Sequence, residues 1–129
     1  VDAPRVRAVL DWELSTLGHP YADLGYLCMC LRLPATGFPR GLAGLDRSAL
    51  GVPTEQQLID SYCQRRGINH IDNFSFYLVF SFFRLAAICQ GVLKRALDGN
   101  ASSERALETG KQTSVLAALG AALIREGKA

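Results

Sequence analysis

Val6-Arg7-Ala8-Val9-Leu10-Asp11-Trp12-Glu13, followed by Gly18-His19-Pro20-Tyr21-Ala22-Asp23-Leu24, is the stretch on which the reading of this chain turns. Val6, Ala8 and Leu10 alternate with Arg7, Val9 and Asp11, the two-residue period of a short strand over 5–11. On an extended backbone, residues two apart share a face. Asp11 and Glu13 are therefore expected to project together, with Trp12 packing the other way. Two hard oxygen ligands at a strand end suit Mg²⁺, which is usually held by one or two carboxylates plus substrate phosphates. An acid pair is equally an ordinary solvated strand end. Spacing alone leaves both readings open.

Downstream, the periodicity changes from two to helical. Pro20, a residue favoured in a first helical turn, opens a helix expected over about 20–33. Leu24, Leu27, Cys28 and Leu31 form its apolar stripe, and Pro34 stops it. Asp23 falls in its first turn, where the helix dipole favours an acid. Residues 34–53 contain Pro34, Pro39 and Pro53 with Gly37, Gly41, Gly44 and Gly51, so they form a long connection, either a linker or a lid. Thr54 and Gln57 make a capping-box pattern, and Gly67 follows Arg65 and Arg66, which predicts a helix over 55–66. The run 73–97 is hydrophobic nearly all round and is expected to be a buried central helix. Arg84 in its middle argues against a membrane span, since an Arg at the bilayer centre costs about 2.5–3.5 kcal/mol. Asp98-Gly99-Asn100 is a turn. Ser102 or Ser103 can cap a last helix over about 103–126, with Leu107, Val115, Leu116, Leu119 and Leu123 inward.

The chain has 129 residues, 49% hydrophobic, with a formal net charge of +2, which fits one domain spanning 1–129 with a single core. Lys and Arg are scattered rather than striped, so no nucleic-acid partner is expected. Cys28, Cys30, Cys63 and Cys89 lie among apolar neighbours with no zinc-type spacing, which reads as free thiols in the cytoplasm or another reducing compartment. The chain opens Val1-Asp2-Ala3-Pro4 with neither Met nor a signal-peptide pattern, and is expected to be a piece of a longer or processed protein. His19 reads as a surface turn residue or a helix cap, and His70 as a loop residue. Arg84 either neutralises an acid in the core or holds an anionic substrate group.

The stretch Val9 to Leu24 resembles the signature of aminoglycoside phosphotransferase-like (choline kinase-like) enzymes. It looks closest to the branch fused to, or encoded beside, acyl-CoA dehydrogenases. Asn73-Phe74-Ser75-Phe76-Tyr77, Phe80 to Gly91, and Asn100-Ala101-Ser102-Ser103 continue the likeness. The resemblance covers the C-terminal portion of that kinase-like fold. It implies a mainly α chain, the helical part of the fold, with one short strand or hairpin at its N-terminus. It also implies that Asp11 is the acid holding Mg²⁺ on the ATP phosphates, with Glu13 an acidic position beside it that touches metal or substrate. By the same likeness Asp23 braces the catalytic loop through its backbone amides, a structural role within the site. His19 stands where many relatives carry Asp after the Gly, so the turn is capped differently.

No Gly-rich phosphate loop, strand Lys or His-Gly-Asp-x-x-x-x-Asn catalytic loop occurs in the sequence. Phosphoryl transfer needs nucleotide, metals and acceptor positioned together, so this chain alone is expected to be inactive. The parent is expected to phosphorylate a small-molecule hydroxyl, a hydroxyacyl-CoA or related metabolite, using ATP and Mg²⁺. The competing expectation is a non-enzymatic helical interaction module or a degenerate kinase-like fragment. An apolar strand without its neighbour invites pairing with a second copy, and a homodimer through 5–11 is expected; a monodisperse monomer in light scattering would count against it.

Overall fold

The computed structural model describes residues 5–37, 39–100 and 105–126. Five helices follow in order: α1 (Tyr21–Arg32), α2 (Glu55–Arg66), α3 (Phe74–Leu97), α4 (Ala106–Gly110) and α5 (Gln112–Arg125). α3 is the spine, and α1, α4 and α5 pack on it. At 24 residues it is about 36 Å long.

Each boundary has a local cause. α1 begins just after Pro20, whose φ of −63° is already helical. It ends where Leu33 turns extended ahead of Pro34. α2 opens on the expected reciprocal box: the Gln57 N–H donates to Thr54 Oγ1 at 3.2 Å, and the Thr54 N–H donates to Gln57 Oε1 at 2.8 Å. It closes on Gly67 at φ 66°, a left-handed position that glycine takes without a Cβ penalty. A two-pronged ion pair ties α2 to α1, with Arg32 Nε and Nη2 donating to Glu55 at 2.7 and 2.8 Å.

Four expectations are corrected. Residues 5–11 form no strand; they are irregular and exposed. A strand exists through its ladder, and among the described residues nothing pairs with this segment. The helix expected over 73–97 forms as α3 but is not buried all round. Leu78, Ser81, Phe82, Leu85, Ala86 and Cys89 are buried, while Phe76, Phe80, Phe83 and Ile88 are exposed on the other side. By length and composition α3 could cross a membrane, but in this fold its inner face is the middle of the core. The expected single last helix is two, interrupted at Lys111; its expected start and serine cap lie outside the described residues. At the break Gly110 packs so closely on α3 that a Cβ there would lie 2.5 Å from Leu93 Cβ. The apolar stripes are also rotated. Leu27, Leu107 and Val115 face solvent, and Met29 is fully buried.

Loop 34–53 folds back on the end of α1. Gly41 N–H donates to the Pro34 carbonyl, Leu42 N–H to Cys30 and Ala43 N–H to Leu33, at 2.8–3.1 Å. These bonds satisfy carbonyls that the helix end leaves open.

The α1–α3 crossing depends on Gly25. A Cβ at this position would lie 2.8 Å from the Tyr77 carbonyl oxygen, a backbone atom that cannot swing away. Gly25→Ala is expected to lower stability by about 1–3 kcal/mol through overpacking, despite the roughly 1 kcal/mol that Ala gains in helix propensity. Gly91→Ala on α3, with its nearest neighbour 3.9 Å away at the flexible Arg95 tip, is the control and is expected to be neutral or stabilising. Thermal melts of both variants check this, and equal melting temperatures would refute the close-crossing argument.

Candidate functional site

Asp11 ends the irregular N-terminal segment in a left-handed conformation, φ 62° and ψ 34°. Asp tolerates this region better than most side chains. A single 3-10 turn, Trp12–Leu14, follows at once. It is closed by Ser15, whose Oγ and backbone N–H both donate to the Trp12 carbonyl, at 2.6 and 3.0 Å. The expected geometry of Asp11 and Glu13 is thereby corrected. The two acids do not alternate along a strand; Asp11 stands immediately before a turn, with no side-chain capping bond, and Glu13 lies within it. Both are exposed.

The turn before α1 is held by rings. His19 stacks on Tyr77 of α3 with centroids 5.1 Å apart, and meets Tyr21 edge-on at 4.5 Å. Tyr21 in turn meets Tyr77 at 5.4 Å and Tyr62 of α2 at 5.9 Å. Such pairs contribute about 0.5–1.5 kcal/mol each beyond their buried area. His19 Nδ1 also accepts from the Tyr21 N–H at 3.4 Å, so the imidazole serves the start of α1. His70 stays in its loop, exposed and bonded to Asp72 at 2.8 Å.

Between the Asp11 turn and the start of α1 lies a cleft of about 360 Å³. Asp11, Trp12, His19 and Asp23 line it, and Arg84 closes it from α3. Glu13 and loop 34–53 do not line it. Arg84 is exposed, and its guanidinium lies 5.3 Å from the centroid of the Tyr26 ring. Burial pushes the Tyr26 hydroxyl above its ordinary pKa, the Cys30 thiol adds to the rise, and Arg84 opposes it. Arg84 makes no ion pair among the described residues, although two carboxylates share its cleft. The sequence marked Arg84 as an oddity in an apolar run, but not as part of the Asp11 site.

Among the described residues no group of three or more His, Cys, Asp or Glu is placed to hold a metal. The described residues therefore build no closed protein cage for a transition metal. One or two carboxylates beside a cleft is the smaller donor set that Mg²⁺ uses when phosphates complete its shell. The cysteines are all free, and Cys28, Cys63 and Cys89 are buried. Burial pushes the Cys28 thiol up to about 12, so it stays protonated and is a poor nucleophile.

The sequence profile of the phosphotransferase enzyme family matches residues 1–58, the segment that carries Asp11, Glu13, His19 and Asp23. Over this segment the chain is aminoglycoside phosphotransferase-like. It is 53% identical over 116 residues to acyl-CoA dehydrogenase family member 10 of Mus musculus, covering 88% of this chain and 11% of that protein. Its identity to acyl-CoA dehydrogenase family member 11 of Rattus norvegicus is 43% over 127 residues, 94% of this chain and 16% of the relative. To the probable acyl-CoA dehydrogenase IBR3 of Arabidopsis thaliana it is 40% over 120 residues, 87% and 14% respectively. The chain thus spans less than a fifth of the length of these relatives. No solved structure matches it. The mainly helical architecture agrees with the C-terminal portion of a phosphotransferase-type fold.

Proposed function

We propose that this chain forms the metal- and acceptor-side part of an ATP-dependent phosphotransferase acting on a small-molecule hydroxyl. The carrying observation is the cleft in which Asp11 and Asp23, both within the segment matched by the phosphotransferase profile, meet Arg84 from α3. In this reading Asp11 is the Mg²⁺ ligand. Its exposed carboxylate at the cleft fits a metal that shares its shell with ATP phosphates. When bound, the metal neutralises charge on the phosphates. Glu13, outside the cleft lining, supports the site from the adjacent turn rather than from within. Asp23, in the first turn of α1, braces the catalytic loop that the rest of the polypeptide supplies. The relatives are called acyl-CoA dehydrogenases, which favours a hydroxyacyl-CoA or related metabolite as acceptor.

The test is transfer of labelled γ-phosphate from ATP, by the full-length polypeptide, to a panel of 3-hydroxyacyl-CoA thioesters, sugars and choline, with and without Mg²⁺. Mg²⁺-dependent transfer to a hydroxyl is expected. A protein that neither binds Mg-ATP nor transfers phosphate to any acceptor would leave the second reading, a non-enzymatic interaction module. That reading draws on the bare apolar face of α3, where Phe76 and Phe83 are 60% and 67% exposed.

A further inference from the structure

Arg84 joins two cavities. It closes the cleft that contains Asp11 and Asp23, and among the described residues it is the one Lys or Arg lining that cleft. It also lines an apolar groove of about 520 Å³ along α3, together with Phe80, Phe83, Ile88 and, farther along, Arg95. A guanidinium carries five N–H donors in one plane. Its contact here is with the face of the Tyr26 ring, which orients the group and, among the described residues, leaves those donors unused. No carboxylate lies within ion-pair distance among the described residues, although Asp11 and Asp23 share the cleft. In the proposed site both acids have other work, Asp11 on the metal and Asp23 on the catalytic loop. The guanidinium is thus a positioned cation with an open fork, standing where the polar cleft meets the apolar groove.

We propose that Arg84 anchors a negatively charged group of the acceptor, whose apolar part lies along Phe80, Phe83 and Ile88 while its hydroxyl turns into the Asp11 cleft. This deepens the phosphotransferase reading and rests on it. The ligand chemistry is a hydroxyl compound with an apolar segment and a phosphate or carboxylate, both of which match the guanidinium fork in two-pronged fashion. Arg95 adds a second positive charge along the same groove. A cationic hydroxyl compound such as choline would meet like charge at Arg84 and is selected against.

Calorimetric titration of the full-length polypeptide reads this without turnover. The probes are 3-hydroxyhexanoyl-CoA, free 3-hydroxyhexanoate, choline and, separately, Mg-ATP. Arg84→Gln is expected to weaken an anionic probe by about tenfold or more, the loss that follows a charged hydrogen bond. Mg-ATP affinity is expected to stay within about twofold, and Arg84→Lys to recover only part of the acceptor binding, because it keeps the charge but not the two-pronged fork. Loss on the thioester alone assigns the anion to the phosphates of CoA; equal loss on the free acid assigns it to a carboxylate. The proposal is overturned if Arg84→Gln leaves both anionic probes unchanged, if it weakens Mg-ATP instead, or if the native protein binds choline and neither anion. Native protein that does not bind Mg-ATP would sink the phosphotransferase reading itself, a separate result. Arg84 is exposed, so the variants are expected to melt with the native protein.

Discussion

Asp11→Asn in the full-length polypeptide is expected to cut Mg²⁺-dependent phosphoryl transfer by about a thousandfold or more. A metal that neutralises phosphoryl charge supplies several kcal/mol in the transition state, and each 1.36 kcal/mol is about a tenfold change in rate. Removing its carboxylate ligand removes that stabilisation. Asn is the informative replacement because of the backbone. Asp11 sits at φ 62°, where Asn is tolerated and Ala is strained. Asn keeps the turn and deletes the charge, so its loss reports chemistry rather than folding. Asp11→Ala should lose activity equally and also melt slightly lower. Glu13→Gln, outside the cleft lining, is expected to cost far less. Unchanged turnover in Asp11→Asn, measured with saturating Mg-ATP, would remove Asp11 from the metal.

The largest effect on stability is expected at Phe82. Its side chain is 1% exposed and lies where α3 meets α5; the Cβ of a residue replacing Gly120 would come within 3.3 Å of it. Phe82→Ala is expected to cost about 3–5 kcal/mol, from lost transfer energy plus the cavity left behind. A domain typically has about 5–15 kcal/mol in all, so this one change takes a large share. Denaturant titration should show a lower midpoint at an unchanged slope. A loss under about 1 kcal/mol would mean that α3 and α5 are not packed as described. Phe83→Ala, one residue on but 67% exposed, is expected to change little in the isolated chain. The contrast between neighbours tests which face of α3 is the core.

Some of this was legible in single residues. The α2 boundaries were readable because a capping box and a C-terminal glycine act within four residues of themselves. Pro20 and Pro34 bracket α1 for the same reason: proline restricts its own backbone and its neighbour's. The acids of the opening motif were legible as residue types, and their partnership with the Gly18–Asp23 turn through the family resemblance. Their geometry was not. Alternation of Val6, Ala8 and Leu10 is a necessary pattern for a strand, but a strand is completed by hydrogen bonds to another segment, and the described residues supply none. Likewise a helix apolar on every side carries no mark of which side is inward. The choice was made by Gly25, Gly110 and Gly120, the small residues that let α1, α4 and α5 approach one face of α3.

By itself, then, the sequence determined a mainly helical chain, the ends of its first two helices and an acid motif beside a turn, because propensity, capping and proline stereochemistry act over a few residues. Tertiary structure alone decided that Asp11 and Asp23 share a cleft and that Arg84 reaches there from a helix some sixty residues away. Those facts depend on contacts between segments distant in the chain, and packing sets such contacts through the summed fit of many side chains, which no local pattern encodes.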